Sequence, residues 1–389
     1  PICCPACGPQ LALVDRDGNP CAAEDPLAEA AARVRAGDVA AIKGLGGYHL
    51  AVDAADEAAV GELRRRKARD DKPFAVMVAG LDGARRLGRL GAGAEAALAS
   101  PRRPIVLVPR LEAAPVAAGV APGLGELGLM LAYTPLHHLL MAEVGRALVM
   151  TSGNLSDEPI VHDDTDAAAR LGPLVDGLLT HDREIHIRCD DSVVRAAGGG
   201  RATQMLRRSR GYAPEPLALP VAARRPLLAV GAELKSTVAV AKGSMVVASH
   251  HIGDLEHLAA YRSFLQAVDH LCHLAGVEPE TVAHDWHPEY LSTKFALDQA
   301  LPTLGVQHHH AHIASCLVEH GRTGPVLGVA FDGLGWGPDG TIWGGEFLVA
   351  GLDGYRRVGH LRPVPLPGGA AAIREPWRMA MMWAGAALG

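Results

Sequence analysis

Two histidines stand four positions apart in the histidine-rich stretch 307–315. In a helix, residues i and i+4 lie on the same face, so His308 and His312 would present their imidazoles side by side. Two imidazoles at this spacing can hold one transition-metal ion. An acidic side chain, Asp332, follows at the end of the apolar run 325–331, which reads as a strand. We therefore predict a metal site formed by His308, His312 and Asp332, in preference to a solvated, histidine-rich helix start.

A run of positive charges marks a second candidate site. Residues 56–67 read as a helix, and Lys67, Arg69 and Lys72 lie between its last turn and the strand-like run 74–78. Cations at a helix C-terminus complement the helix dipole, so the charge run alone needs no ligand. Because a strand follows at once, however, we expect these three cations in a loop at the edge of a sheet. That is a usual place for ligands in open α/β proteins.

Polar or glycine-rich turns follow two other predicted strands. Ser152 and Asn154 come directly after the strand 147–151. The turn 43–48 contains a lysine and three glycines, and its backbone N–H groups could approach an anion. Its spacing matches neither the P-loop nor the dinucleotide-binding fingerprint, so the signal is weak alone. The basic stretch 207–212 closes this part of the chain.

The first residues contain Cys4 and Cys7, spaced as in a zinc knuckle. A structural zinc needs four ligands, and the chain holds no second Cys-x-x-Cys pair. We therefore expect half of a zinc site, with the other pair upstream. The seven cysteines form no disulfide framework, which fits a reducing cytoplasm.

Length and charge limit the class of protein. The chain has 389 residues, enough for two or three domains, and its net charge of -6 implies no general attraction to nucleic acid or anionic membrane. No apolar run reaches membrane-spanning length. The chain begins on Pro1 within a motif, and we expect it to be a piece of a longer protein at both ends.

Alternating strands and helices predict an α/β fold in two parts. We expect a zinc-finger remnant over 1–20, a first α/β domain over 21–213, a proline-rich linker over 214–226 and a second α/β domain over 227–389. In the second part a strand, a glycine turn and a hairpin occur twice, which suggests the first lobe of an actin-like ATPase.

Taken together, the motifs resemble those of the HypF-type carbamoyltransferases, which mature nickel–iron hydrogenases. The resemblance covers essentially the whole chain. It is carried by the following stretches: Cys4 to Pro9, Lys67 to Pro73, Thr151 to Ser156, Cys189 to Val193, Arg207 to Pro214, His251 to Leu255, the histidine helix, Phe331 to Gly333, Ile342 to Glu346 and Arg374 to Ala380. One departure is Ser236, where the family usually has Asn.

The resemblance implies a YrdC-like domain followed by a truncated Kae-like domain of the actin type, behind the remnant of a zinc finger. It implies that Lys67, Arg69 and Lys72 are catalytic. Together with Ser152, Asn154 and Arg208, these three are expected to bind ATP and the adenylate. It also implies Fe or Zn on His308, His312 and Asp332, Mg²⁺ with the ATP, and a structural Zn²⁺ on Cys4 and Cys7.

The activity implied by the resemblance has two steps. Carbamate, made from carbamoyl phosphate in a domain absent here, attacks ATP to give carbamoyl adenylate. The carbamoyl group then passes to the C-terminal cysteine of the partner HypE. We expect the second step to fail in this chain, and the metal to bind weakly, because a fourth ligand and the second actin-like lobe are missing.

Two other classes of protein use related domains. The O-carbamoyltransferases of antibiotic and nodulation-factor tailoring carry the Kae-like domain first, whereas here the lysine–arginine part comes first. YrdC-like proteins of tRNA threonylcarbamoyladenosine synthesis bind RNA, and the basic stretches 64–67 and 207–208 could contact phosphates. The net charge and the fused histidine part argue against that reading. Neither a membrane nor a nucleic acid is an expected partner.

Overall fold

The computed structural model describes residue 4 and residues 7–155, 158–197 and 202–388. The chain divides into two compact units. The first unit takes in residues up to 216 together with 233–239 and 247–275. The second unit takes in 217–232, 240–246 and the residues from 276 onward. The predicted boundaries at 213 and 226 remain predictions, because 233–275 is divided between the units.

A mixed sheet of ten strands forms the first unit, with the strand order β1-β8-β2-β3-β7-β4-β6-β5-β9-β10. Its strands are β1 (Leu11–Asp15), β2 (Ala40–Lys43), β3 (Tyr48–Asp53), β4 (Ala75–Val78), β5 (Ile105–Pro109), β6 (Glu126–Leu131), β7 (Leu148–Ser152), β8 (Gly177–His181), β9 (Val193–Ala197) and β10 (Ala202–Arg207). The helices are α1 (Pro26–Arg35), α2 (Glu57–Lys67), α3 (Leu81–Leu87), α4 (Ala92–Ala99), α5 (Pro135–Val144), α6 (Asp164–Leu171) and α7 (Leu258–Ala275). Hydrophobic clusters cover the sheet.

The local sequence determines where helix α1 begins and which face of it is buried. Asp25 caps its N-terminus, accepting hydrogen bonds from the amides of Leu27 and Ala28, and Pro26 occupies the first turn. The buried residues Leu27, Ala30, Ala31 and Val34 form one apolar stripe, as the sequence pattern predicts. Helix α2 begins in the same way after Asp56. Helix α2 confirms the helix expected over residues 56–67, within one residue at its start.

Strand β3 was not predicted from the sequence. The glycine-rich turn 44–47 connects β2 to β3, and the two strands pair antiparallel from Lys43↔Tyr48 to Ala40↔Ala51. All six residues of β3 are buried, because β3 lies inside the sheet between β2 and β7. The turn is therefore the tip of a hairpin.

Two smaller sheets lie in the second unit, except for residues 239 and 247–248, which belong to the first. A four-stranded sheet has the order β12-β11-β13-β14, and a three-stranded sheet has the order β15-β16-β17. The strands are β11 (Leu217–Ala229), β12 (Ala239–Ala248), β13 (Thr281–Asp285), β14 (Thr303–Val306), β15 (Val326–Trp336), β16 (Ile342–Ala350) and β17 (Tyr355–His360). The helices are α8 (Leu291–Leu297), α9 (His308–Glu319), α10 (Ala371–Arg374) and α11 (Trp377–Leu388). Strand β13 pairs parallel with both β11 and β14.

The expected proline-rich linker over 214–226 is corrected by β11, which covers residues 217–229. Proline lacks the N–H group that a central strand must donate. The register with β13 spans only Leu227 to Ala229, so Pro220 and Pro226 precede the part of β11 that pairs with β13. An extended strand can therefore contain both prolines, although their number had indicated a linker.

Strand β12 contains the predicted hairpin. The amide of Ser249 donates to the carbonyl of Val238 over 2.8 Å. A straight strand would hold these residues more than about 30 Å apart. The chain therefore folds back within β12, where Gly243 has a φ of 57°. Among the described residues, no helix is both long and apolar enough to span a membrane.

Candidate functional site

Lys67, the last residue of α2, is buried with 1% of its surface exposed. Its ammonium donates to three oxygens: the carbonyl of Ser152 at 2.7 Å, and the carbonyl and side-chain Oδ1 of Asn154, both at 2.6 Å. The Ser152 hydroxyl donates to the same Asn154 Oδ1 over 2.7 Å. The structure therefore brings together Lys67, Ser152 and Asn154, three of the residues expected to bind ATP.

The spacing within α2 explains why a lysine is buried there. Ala59, Val60 and Leu63 are buried on the inner face of the helix, and Lys67 continues that face one turn later. The neighbouring cations differ, since Arg65 is exposed and pairs with Glu62 at 2.6 Å. The run of charges at the end of α2 is therefore not uniformly solvated. It contains one buried lysine, four residues after the buried Leu63.

Arg69 and Lys72 lie in the loop between α2 and β4. Arg64 shapes this loop, because its guanidinium donates to the carbonyls of Arg69 at 2.9 Å and of Asp70 at 2.8 Å. Arg69 donates to the carbonyl of Pro73 at 2.6 Å, and its guanidinium carbon lies 5.1 Å from the centre of the Phe74 ring. The loop is therefore held by arginine–carbonyl bonds, with Lys72 exposed.

Ser152 ends β7, next to His49 of β3 in the antiparallel register. Behind that pair lies a buried ionic network that the sequence did not predict. His49 Nε2 is 3.1 Å from Asp191 Oδ2, and Arg210 Nε donates to Asp191 Oδ1 over 2.7 Å. Burial raises the pKa of Asp191, but Arg210 and His49 hold it well below its ordinary range. The guanidinium of Arg210 also lies 3.4 Å from the Tyr133 ring centre.

Arg208 lies in the segment that leads from β10 to this network. It donates to the carbonyl of Tyr212 at 3.2 Å, and its guanidinium is 5.9 Å from the centre of the Tyr212 ring. The structure thus shows Arg208 packed on its own loop, and no direct bond to Lys67, Ser152 or Asn154 is among the described contacts of these residues. Its predicted role with ATP remains a prediction.

Two other features of the sequence are the lysine of the glycine-rich turn and the motif that begins at Thr151. Lys43 is buried and forms an ion pair with Asp164, while it also donates to the carbonyl of His181 at 2.7 Å. The glycine-rich turn thus carries a structural lysine rather than an exposed cation. The motif that begins at Thr151 is described only to Leu155, and Ser156 lies outside the described residues.

The second candidate site lies at the N-terminus of α9. Gln307 caps this helix, since its side chain accepts a hydrogen bond from the amide of His310 at 2.9 Å. His308 Nε2 lies 2.6 Å from Asp332 Oδ2 and 3.2 Å from His312 Nε2. His312 Nε2 lies 3.2 Å from the same Asp332 oxygen. The three predicted ligand residues therefore converge.

The sequence pattern placed Asp332 at the end of its strand, but in the structure Asp332 lies within the strand. Strand β15 continues to Trp336, and its register against β16 shifts between Phe331 and Gly335. Asp332 lies within this irregular part of the strand. An irregular register re-aims side chains, which explains how a mid-strand carboxylate can face the helix.

Mutual hydrogen bonding shifts the pKa values of this site. Hydrogen bonds from His308 and then His312 hold the pKa of Asp332 well below its ordinary range. Burial lowers the pKa of His308, but its hydrogen bonds with Asp285 and Asp332 outweigh burial and raise that pKa to about 9. The site thus favours a positive charge at His308 when no metal competes for the ring nitrogen.

The donor set fits a divalent metal ion. The ligand atoms of His308, His312 and Asp332 all lie within 4.8 Å of one another, and no other such group occurs among the described residues. Ligands about 2.0–2.1 Å from a tetrahedral zinc are separated by about 3.3 Å. The distances of 2.6 and 3.2 Å are slightly shorter, as expected where protons bridge the donors. Two imidazoles and a carboxylate suit zinc or iron.

The approach of α9 to β15 depends on a glycine. A Cβ atom at Gly335 would lie 2.3 Å from His309 Cε1 and 3.1 Å from His308 Cβ. Any side chain there would push the start of α9 away from the strand. Sequence reasoning missed Gly335, and it also missed Asp285, whose carboxylate contacts His308.

The terminal cysteines show only the predicted half site. Cys4 and Cys7 are exposed, and the amide of Gly8 donates to the carbonyl of Cys4 at 2.7 Å, which closes a turn. No further cysteine lies with them among the described residues. A structural zinc at this turn remains a prediction.

Three protein families match successive parts of the chain. The Sua5, YciO and YrdC family, described under telomere recombination, matches residues 32–209. A family described as the HypF Kae1-like domain matches residues 222–319. A family described as the carbamoyltransferase Kae1-like domain, second subdomain, matches residues 328–388. The order of the matches agrees with the predicted order of the two α/β parts.

Curated relatives and solved structures agree with these matches. Carbamoyltransferase HypF2 of Cupriavidus necator is 47% identical over 95% of this chain and 48% of its own length. The HypF of Rhizobium leguminosarum bv. viciae is 46% identical over 91% of this chain and 47% of its own length. A crystal structure of full-length HypF in a phosphate- and nucleotide-bound form superposes with a TM-score of 0.93 at 43% identity. That alignment covers 99% of this chain and 50% of the other.

The chain therefore spans about half the length of the curated relatives it matches. Identity of this level over nearly the whole chain, the consecutive family matches and the shared fold lead to one assignment. The chain belongs to the HypF carbamoyltransferase family.

Proposed function

We propose that this chain takes part in ATP-dependent carbamoyl transfer for the maturation of nickel–iron hydrogenases. The first unit forms carbamoyl adenylate from carbamate and ATP, and the second unit passes the carbamoyl group to the C-terminal cysteine of HypE. Family membership supports the class of reaction. The observation that carries the first step is the bonding of Lys67 to the turn formed by Ser152 and Asn154.

The first step joins two anions. A carboxylate oxygen of carbamate attacks the α-phosphorus of ATP, the bond from that phosphorus to the bridging oxygen breaks, and pyrophosphate leaves. Two anions repel each other, so the site must supply positive charge and hydrogen-bond donors at fixed positions. Mg²⁺ on the leaving phosphates would supply further positive charge. ATP is a reasonable ligand because the related full-length HypF has been solved with a bound nucleotide.

Lys67 supplies fixed charge from a buried position. Its three bonds direct the ammonium at the turn that carries Ser152 and Asn154, and its burial reduces screening by water. We propose that Lys67 holds this turn in the shape that contacts nucleotide or carbamate and contributes a positive field there. Arg69 and Lys72, on the adjoining loop, would contact the phosphates directly. Arg208 would close the site from the segment that follows β10.

The second step transfers the carbamoyl group to sulfur. The cysteine thiolate of HypE attacks the carbamoyl carbon, the carbon–oxygen bond to AMP breaks, and AMP leaves with the electron pair. We propose that His308, His312 and Asp332 hold an iron or zinc ion in the second unit. When bound, such an ion supplies positive charge to an oxygen of the adenylate. The chain's own part is to fix these three donors at the start of α9.

The order of the domains disfavours one alternative. The match to the YrdC-containing family precedes the matches to the Kae1-like families along the chain. The O-carbamoyltransferases of tailoring pathways were expected to have the opposite order. The acceptor that we propose is therefore a protein thiol and not a hydroxyl group of a natural product.

The test of the first step is carbamate-dependent exchange between ATP and radiolabelled pyrophosphate. We expect Lys67→Ala to reduce the exchange rate by about 10²-fold or more, the size of loss seen when one preorganised donor is removed. Arg65→Ala is the matched control, because it removes an exposed cation two residues away that pairs with Glu62. Normal exchange by folded Lys67→Ala would contradict the role of Lys67. An equal loss in both variants would show that exchange depends on the total positive charge of this region and not on the buried position of Lys67.

A further inference from the structure

Asp285 is a buried carboxylate next to the candidate metal centre. It ends β13, and only 6% of its side chain is exposed. Its Oδ2 atom lies 2.6 Å from His308 Nδ1, the ring nitrogen that does not face Asp332. A buried carboxylate is costly unless hydrogen bonds and charge compensate for lost water. Among the described residues, the Asp285 carboxylate contacts the His308 ring and the backbone amide of His287.

The backbone holds Asp285 in one position. The other carboxylate oxygen, Oδ1, accepts a hydrogen bond from the amide of His287 at 2.8 Å. The carbonyl of Asp285 accepts from the Thr293 hydroxyl at 3.0 Å. Asp285 also pairs with Val306, one strand away and two residues before α9. These contacts fix the carboxylate relative to the helix start that carries His308.

This geometry sets the state of the His308 ring. An ionised carboxylate can only accept hydrogen bonds, so His308 Nδ1 must carry the proton that it donates to Asp285. His308 Nε2 is then the nitrogen available for a metal ion. It is the same nitrogen that lies 2.6 Å from Asp332 and 3.2 Å from His312. A carboxylate that holds the far nitrogen of a metal-binding histidine fixes the ring's orientation and increases its basicity.

We propose that Asp285 is a positioning residue that selects the tautomer and orientation of His308 and thereby sets the metal affinity of the His308, His312 and Asp332 cluster. The inference rests on the metal site proposed above. His308 is the anchored ligand of the pair, with 14% of its side chain exposed, whereas 58% of the His312 side chain is exposed. Loss of the Asp285 carboxylate should therefore loosen His308, the more buried of the two imidazole ligands.

Zinc affinity of the whole chain tests the inference, measured by competition with a chromogenic chelator. We expect Asp285→Ala to weaken zinc binding by about 10- to 100-fold, and Asp285→Asn, which is closer in shape, to weaken it less. The absorption spectrum of bound cobalt(II) should change in both variants, since the His308 ring is no longer held. Glu289→Gln is the matched control. It neutralises a nearby but exposed carboxylate that pairs with Lys294 at 2.8 Å, and it should keep wild-type affinity.

Two reference variants separate the possible failures. If His308→Ala and His312→Ala bind zinc as wild type does, the proposed metal site itself is wrong. If both lose zinc while Asp285→Ala keeps wild-type affinity and cobalt spectrum, only the role of Asp285 is overturned. Thermal unfolding of the metal-free variants shows whether they fold. Should Asp285→Ala not fold, an affinity of Asp285→Asn within about twofold of wild type overturns the inference.

Discussion

At the scale of single residues, burial changes what the charged side chains can do. Lys67 and Asp285 are both charged, both buried, and both bonded to groups that carry or adjoin a candidate ligand site. A charge is kept in a protein interior only where several hydrogen bonds replace its water. The two sites are therefore held by residues that solvent does not reach.

In the described part of the chain, His137 is buried without hydrogen-bond partners, and burial therefore disfavours its charged form. This residue of α5 is fully buried, and neither ring nitrogen has a hydrogen-bond partner among the described residues. Burial, and then the neighbouring His49, lower the pKa of His137 well below its ordinary value. The unfolded chain binds a proton near pH 6.5, and the folded chain does not. Stability from this group is thus present above pH 6.5 and is lost as pH falls, by up to about 1.4 kcal/mol per pH unit.

We therefore expect His137→Leu to raise the melting temperature, and to raise it more at pH 5 than at pH 7.5. The substitution removes two unsatisfied nitrogens, each worth about 1–3 kcal/mol when buried without a partner. Thermal unfolding followed by circular dichroism at the two pH values measures the effect. His138→Leu, at the exposed neighbouring position, is the control and should leave the pH dependence unchanged. Equal pH dependence in wild type and His137→Leu would contradict this account.

The residue scale also shows what the sequence can predict. The i, i+4 spacing of His308 and His312 was enough to place both imidazoles together, because a helix imposes that neighbourhood. Asp285 could not be found in this way, because its contact with His308 arises from the parallel pairing of β13 with β14. Long-range pairing leaves no local spacing in the sequence. The burial of Lys67, in contrast, could have been found from the apolar spacing of α2.

At the scale of elements, the metal centre depends on how closely α9 lies against β15. Ile313 and Leu317 of α9 are buried in a cluster with Trp343 and Leu348 of β16. Gly335 provides space for the histidine end of the helix, as described above. The hydrophobic cluster fixes the helix, and the glycine fixes the distance of its first turn from Asp332.

We expect Gly335→Ala to displace the start of α9 and to impair metal binding. The added methyl group would lie 2.3 Å from His309 Cε1, and such overpacking costs about 1–3 kcal/mol. Zinc affinity and the melting temperature of the metal-free chain measure the two effects. Gly344→Ala is the matched control in β16, since its nearest contact would be Asp332 O at an ordinary 3.5 Å. Unchanged zinc affinity in Gly335→Ala would show that the approach of α9 is not limiting.

Helices and strands were predicted well where a local sequence signal exists. They were predicted poorly where pairing with other strands of the sheet determines the structure. Helix α1 begins after Asp25 with Pro26 in its first turn, and helix α2 begins after Asp56, because a side-chain cap is a local signal. Strand β3 was missed because the adjacent glycines read as a loop, and residues 217–226 of β11 were missed because their prolines indicate a linker. In both strands the neighbours in the sheet, which the sequence does not show, decide the structure.

At the scale of the whole molecule, the α/β class and the order of the two parts follow from the sequence pattern and agree with the family matches. The division into compact units was less predictable. Residues 233–239 and 247–275, including α7, group with the first unit although they follow β11 along the chain. The change of unit after Pro216 falls within the proline-rich stretch, whereas the return of residues 233–239 and 247–275 to the first unit was not predicted.

Pyrophosphate exchange by the purified wild-type chain tests the proposed formation of carbamoyl adenylate most directly. ATP, Mg²⁺, labelled pyrophosphate and freshly dissolved carbamate are combined, with bicarbonate alone as the control that lacks the amine. We expect exchange that requires carbamate, together with an adenylate that carries the carbamoyl group in the mass spectrum. The absence of carbamate-dependent exchange in the folded chain, or equal exchange with bicarbonate alone, would contradict it.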